Sequence, residues 1–175
     1  MNGPELRRLD AGGYVCDSDP GEKSYGPDGG QRISVSDLDA SILSALAWGK
    51  KVCEIGTGLG VSTRALARTA KFVATVDPDE WVHANVVPHL PENVRAWRGV
   101  ERLVSGSFGL VFVDGNHSVE ATEADIHTAW NLLRRGGLLV MHDVVYDSVK
   151  LGIERAGKGE PLVIATTAGI GMWVL

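Results

Sequence analysis

The stretch Val52-Cys53-Glu54-Ile55-Gly56-Thr57-Gly58-Leu59-Gly60-Val61-Ser62-Thr63 constrains the fold more than any other. It joins a short apolar strand to three alternating glycines and then to a helix-forming segment. Glycine suits such a turn because a Cβ would hold the backbone away from a ligand, and tight turns often require positive φ. Glu54 sets this turn apart from a phosphate cradle. A carboxylate two residues before the first glycine, at the carboxyl end of a buried strand, repels a pyrophosphate and suits a cationic amino group.

A chain of 175 residues fits one domain with a substantial core. Its net charge of -5 argues against general affinity for a polyanion, so nucleic acid is not the expected partner. The cysteines are Cys16 and Cys53, the second inside the predicted first strand, which speaks against a disulfide framework and suits a reducing cytoplasm. No apolar run is long enough to span a membrane, and Met1-Asn2-Gly3-Pro4-Glu5 does not open a basic-then-apolar leader. The expectation is a cytoplasmic protein without a membrane partner; a homo-oligomer is compatible with the sequence but not required by it.

Residues 1–32 are rich in Gly, Pro, Asp and Ser, with Gly26-Pro27-Asp28-Gly29-Gly30 the extreme, and read as a flexible N-terminal segment or a lid. Residues 33–175 read as one domain. Leu38, Ile42, Ala45 and Leu46 recur at helical spacing behind Ser36, an N-cap with Asp39 three residues on, and Gly49 stops that helix. Strand and helix then alternate, which predicts a parallel sheet covered on both faces. Strands are expected at about 51–55, 72–76, 94–97, 109–113, 137–141, 162–166 and 171–175. Helices are expected at about 61–69, 80–87, 119–134 and 147–156. In the helix after Ser118, Val119, Ile126, Trp130 and Leu133 share a face, acids come early and Arg134 and Arg135 late, and Gly136 follows as the expected stop.

Ligands of open α/β sheets sit outside the carboxyl ends of the strands, near the topological switch point. Asp77 ends the second strand, where a carboxylate can accept both hydroxyls of a ribose; alternatively it only starts the Asp-Pro turn. The fourth strand ends in Asp114-Gly115-Asn116-His117-Ser118 and the fifth in His142-Asp143. Adjacent parallel strands would thus bring Asp114, His142 and Asp143 to one rim. Such oxygens suit a hard cation such as Mg²⁺, and the imidazole widens the choice toward Mn²⁺ or another transition metal. The competing role for Asp114 and Ser118 is to cap the next helix, and no short metal motif such as His-Glu-x-x-His is present.

The glycine motif with Glu54 resembles motif I of class I S-adenosylmethionine-dependent methyltransferases. The run Phe108-Gly109-Leu110-Val111-Phe112-Val113-Asp114-Gly115-Asn116-His117-Ser118, followed by Asp125, Leu132-Leu133, Gly136-Gly137 and His142-Asp143, resembles a branch of them. That branch carries Asp-Gly-x-His-Ser-Tyr and a later Gly-Gly and His-Asp, and is related to the catechol-type O-methyltransferases. The likeness covers about residues 36–145. It implies an α/β, Rossmann-like three-layer sandwich with a seven-stranded, mostly parallel sheet whose last strand is antiparallel. It further implies S-adenosylmethionine as cofactor, a divalent cation held by acids after the fourth and fifth strands, and a small-molecule methyl acceptor. Three positions depart from the pattern. Val100 stands where an acid that contacts adenine is common, with Glu101 next; Val119 takes the aromatic place of the signature; and Gly109 replaces an acid before the fourth strand.

The cofactor set expected on this reading is Glu54, Gly56, Thr57, Gly58, Gly60, Ser62, Asp77, Val100, Glu101 and Asp114. The metal set is Asp114, His142 and Asp143. A hydroxyl acceptor must lose its proton, either to a base, His117 or His142, or with help from the metal. Two rival readings remain: a nicotinamide-dependent oxidoreductase or dinucleotide-binding module, and a methyltransferase-like protein that binds cofactor without turnover. The first prefers Gly-x-Gly-x-x-Gly, whereas this chain has Gly56-x-Gly58-x-Gly60.

Overall fold

The computed structural model describes residues 35–175, and before them only the backbone of four short strands, Leu6–Arg8, Tyr14–Cys16, Ser24–Tyr25 and Gln31–Arg32. The expected lid at 1–32 lies outside the described residues. Helix α1 (Asp37–Ala47) opens on a capping box, in which the Ser36 hydroxyl accepts from the Asp39 backbone and the Asp39 carboxylate accepts from that of Ser36. Strands β1 (Lys51–Ile55), β2 (Phe72–Val76), β3 (Val94–Trp97), β4 (Phe108–Val113), β5 (Leu133–Met141), β6 (Leu162–Ile164) and β7 (Ile170–Val174) form one sheet in the order β6-β7-β5-β4-β1-β2-β3. Helices α2 (Val61–Ala67), α3 (Glu80–Asn85), α4 (Val119–Leu132) and α5 (Asp147–Ala156) connect them. β1 pairs parallel with both β2 and β4, and β4 pairs parallel with β5. β7 runs antiparallel to β5 and to β6, so the fold is the expected Rossmann-like sandwich with a reversed last strand.

Every residue of β4 is buried, as a central parallel strand covered on both faces requires. Leu110 and Phe112 face the layer of α1 and α2 with Leu43, Leu66, Val52 and Val140. Val111 and Val113 face α4 and α5 with Ile126, Leu139, Val149 and Ile153. Burying each such side chain stabilises the fold by about 1.5 to 3 kcal/mol.

Two sequence expectations are corrected around α4. The helix ends at Leu132, and Leu133 is extended and begins β5, so Arg134 and Arg135 belong to the strand region. Gly136, at φ +69°, turns the chain inside β5 instead of ending the helix. There its N–H donates to the Leu175 carbonyl, and the Leu175 N–H donates to that of Gly137. The buried face of α4 is Thr122, Ile126, Ala129 and Leu132, with Val119 and Trp130 only half-buried. No helix among the described residues is long and apolar enough to cross a membrane.

Candidate active site

The order of the sheet places its switch point between β1 and β4, and the loops leaving β1, β2, β4 and β5 converge on one rim. Backbone bonds carry the ladder past the strand ends and fix the rim: Gly56 donates to Val76, Asp114 to Ile55, and His142 to Val113. A Cβ on Gly56 would lie 2.1 Å from the Asp114 carbonyl oxygen, and φ there is +96°, so only glycine lets the β1 turn approach the β4 loop this closely. Gly58, at φ +49°, differs in that no described heavy atom lies within 4 Å of its missing Cβ. The turn therefore leaves open space on the side that a side chain would fill. Asp77 braces the turn, its Oδ2 accepting the N–H groups of Thr57 (3.1 Å) and Gly58 (3.0 Å) while Oδ1 accepts that of Asp79.

A cavity of about 660 Å³ runs along this rim. Of the expected cofactor residues, Gly56, Thr57, Gly58, Ser62, Asp77, Val100, Glu101 and Asp114 line it; Glu54 and Gly60 do not. Gly60 is the N-cap of α2 and is backed by Arg64, whose guanidinium donates to the Leu59 and Gly60 carbonyls. Glu54 lies fully buried beneath the turn, and its Oε2 accepts the hydroxyls of Thr63 (2.5 Å) and Thr75 (2.6 Å). Burial pushes its carboxyl up to about 7 against those hydroxyl bonds, and Oε1 has no hydrogen-bond partner. Val100 and Glu101 sit on a short 3₁₀ turn, Val100–Arg102, after β3.

The other end of the cavity is a cluster of acids and imidazoles. His117 Nε2 stands 3.0 Å from Asp143 Oδ2 and 3.9 Å from Asp114 Oδ1, and its ring stacks on Tyr146 with centroids 6.0 Å apart. The buried His142 presents Nδ1 to Asp143 Oδ2 at 3.1 Å and to Asp114 Oδ1 at 3.4 Å, though without an aligned hydrogen bond. Its Nε2 lies 3.2 Å from Asp39 Oδ2. Donor atoms of Asp114, His117 and Asp143 all lie within 4.8 Å of one another, a set able to hold a metal ion. The expected metal set had His142 in the place that His117 takes here. Asp143 adopts φ +60°, alone among the described non-glycine residues, and its Oδ1 is buried without a partner.

Charge in the cluster is tightly coupled. The carboxylates of Asp114 and Asp143 raise the His117 pKa to about 9 in spite of burial. Burial acts to lower His142, but its neighbours Asp114, Asp143 and Asp39 push it up to about 12. In turn the imidazoles hold Asp114 and Asp143 below the usual carboxylate range against the effect of burial. The neighbouring carboxylates thus favour the protonated imidazoles, and a base role requires one of them to be released.

Two acids that sequence reasoning did not assign to the site belong near it. Asp125 lines the cavity one helical turn beyond Ala121, and burial raises its carboxyl to about 6. In the sequence it counts as an early acid of α4 and as one of the residues of the family resemblance; its spacing of three from Thr122 and four from Ala129 puts it beside the buried face. Asp39 reads as a capping residue, and its second contact, with His142, joins segments far apart in the chain.

The Methyltransf_24 family model, described as a methyltransferase domain, matches residues 53–144, more than half of the chain. Among solved structures the chain is similar to cofactor-bound Rv0187 from MTB, with 25% identity, 81% of each chain covered and a TM-score of 0.69. A putative O-methyltransferase from Klebsiella pneumoniae shares 22% identity over 81% of each chain, with a TM-score of 0.67. The O-methyltransferase TomG from Streptomyces achromogenes, solved in complex with SAM, shares 20% identity over 79% of this chain and 80% of its own, with a TM-score of 0.64. No curated protein matches the chain. Since the family match takes in the glycine turn, Asp77, Asp114 and the His142-Asp143 pair, the chain belongs to this family of methyltransferase domains.

Proposed function

We propose that the protein transfers a methyl group from S-adenosylmethionine to a hydroxyl oxygen of a small molecule. The observation that carries this reading is the single cavity that begins at the glycine turn and Asp77 and ends at Asp114, His117 and Asp143. One end suits a nucleoside with a cationic tail, and the other suits an oxygen that must lose a proton. The open space beside Gly58 fits a cofactor lying on the turn, and Asp77 Oδ1 keeps one acceptor site for a ribose hydroxyl. TomG, similar in fold, is an O-methyltransferase that binds SAM, which agrees with this assignment.

When bound, the sulfonium supplies an electrophilic methyl group for in-line displacement. The residues of this chain align the acceptor with it and exclude water. A divalent cation fits the far end: the donors are two carboxylates and an imidazole, and the buried Asp143 Oδ1 lacks a protein partner. Asp114, His117 and Asp143 would hold it, and it would lower the pKa of a hydroxyl acceptor. Without the cation, Asp143 at 3.0 Å and Asp114 at 3.9 Å favour a proton on His117 Nε2. The test is methyl transfer from labelled S-adenosylmethionine to a panel of small phenols and alcohols, with EDTA and with Mg²⁺ restored. Transfer to oxygen that EDTA suppresses is the expected result. Transfer only to nitrogen or carbon acceptors would overturn the reading.

A further inference from the structure

We propose that Asp39 is a positioning residue that holds the His142 ring with Nδ1 facing the carboxylates of Asp114 and Asp143. This deepens the functional reading above and rests on it for its consequence, although its geometry stands alone. His142 is buried, so its orientation is decided by protein groups and not by water. One edge of the ring meets Asp39 Oδ2 at 3.2 Å through Nε2. The opposite edge, Nδ1, stands between the two rim acids at 3.1 and 3.4 Å and finds no aligned hydrogen bond there. A 180° flip about the Cβ–Cγ bond would turn Nδ1 away from the acids and break the Asp39 contact. Asp39 itself is held: the Ser36 hydroxyl donates to Oδ2 at 2.6 Å, and the Ser36 N–H donates to it at 3.2 Å.

The carboxylate thus does more than close a capping box. A cap needs only an oxygen at the helix start, and a solvent-facing Asp serves it. Here the side chain is 1% exposed, and burying a charge beyond what the cap requires is costly unless it is paired. His142 is that pair. A carboxylate behind an imidazole is the arrangement that fixes which nitrogen faces a metal or a reacting group. Asp39 therefore couples the start of α1 to the acid cluster of the site.

The experiment combines ¹⁵N–¹H spectroscopy with Mn²⁺ binding. In wild-type protein, an exchange-protected Nε2–H resonance that disappears in His142→Gln is expected, because this proton is donated to a buried carboxylate. Asp39→Asn should remove or strongly shift it. Because His142 borders Asp114 and Asp143 without belonging to the ligand set, the same variant should weaken Mn²⁺ binding by about three- to tenfold, less than the loss of a direct partner of a ligand, and keep S-adenosylhomocysteine affinity within about twofold. Ser36→Ala, which removes the capping hydroxyl and leaves the Asp39 carboxylate, should leave Mn²⁺ affinity within about twofold. A His142 Nε2–H without protection in the wild type overturns the proposal with no need for a variant. So does Mn²⁺ affinity unchanged in Asp39→Asn, or lost equally in Ser36→Ala. If the wild type binds no Mn²⁺ at all, the metal reading fails, and the protected proton still decides the role of Asp39.

Discussion

Replacing Glu54 with Gln should change how stability depends on pH. The side chain is 0% exposed, and burial raises its carboxyl from the ordinary 4.5 to about 7 while Thr63 and Thr75 oppose the rise. An acid with a raised pKa binds its proton more tightly in the folded chain than in the unfolded one. Between pH 4.5 and 7 the folded state keeps a proton that the unfolded state has released, so stability falls as pH rises through that window and levels off above it. At about 1.4 kcal/mol per pH unit, the full loss is on the order of 3 kcal/mol. Glu54→Gln keeps the volume and an acceptor oxygen for the threonine hydroxyls but has no proton to lose. Urea unfolding at pH 5 and pH 8 should therefore show the variant gaining roughly 2 to 3 kcal/mol on the wild type across that interval. Groups that titrate in both proteins cancel in the comparison. Parallel pH profiles would refute the argument and mean that Glu54 is ionised at little cost beneath the turn.

Gly58→Val should abolish binding of S-adenosylhomocysteine in a folded protein, because a branched side chain at φ +49° enters the open side of the turn; circular dichroism and calorimetry check both halves, and retained binding would make the turn merely structural. Asp77→Ala should weaken the same binding by roughly 1 to 3 kcal/mol and also lower the unfolding midpoint, since three backbone N–H groups lose their acceptor; affinity equal to wild type would remove Asp77 from the site. Asp143→Asn should reduce kcat far more than cofactor affinity, and EDTA should mimic it, because the residue stands at the acceptor end of the cavity; full activity in both conditions would exclude a metal role for this acid.

Much of this fold is legible in the chain because its signals are local. Apolar runs bounded by glycine mark β1 and β4, an apolar run before Asp77-Pro78 marks β2, and Ser36 and Ser118 mark the starts of α1 and α4. The end of α4 was misread because Arg134 and Arg135 suit a helix dipole locally, whereas Leu133 pairs with Phe108 and the Gly136 turn is fastened to Leu175, contacts no window of sequence contains. At the site, the residues that follow strand ends were readable from topology alone, among them Asp77, Asp114 and Asp143. Less readable was which side each group faces. Glu54 reads as a ligand to the cofactor but lies under the turn, and His117 and His142 exchange places because only packing decides that one ring is buried against Asp39 and the other half-open beside Tyr146.

The most direct test of the central claim is calorimetric titration of the protein with S-adenosylmethionine, S-adenosylhomocysteine and NAD. The glycine turn over a buried Glu54, with Asp77 at its side, predicts saturable one-to-one binding of the two sulfur nucleosides and none of NAD. Tight binding of NAD with no response to S-adenosylhomocysteine would contradict it.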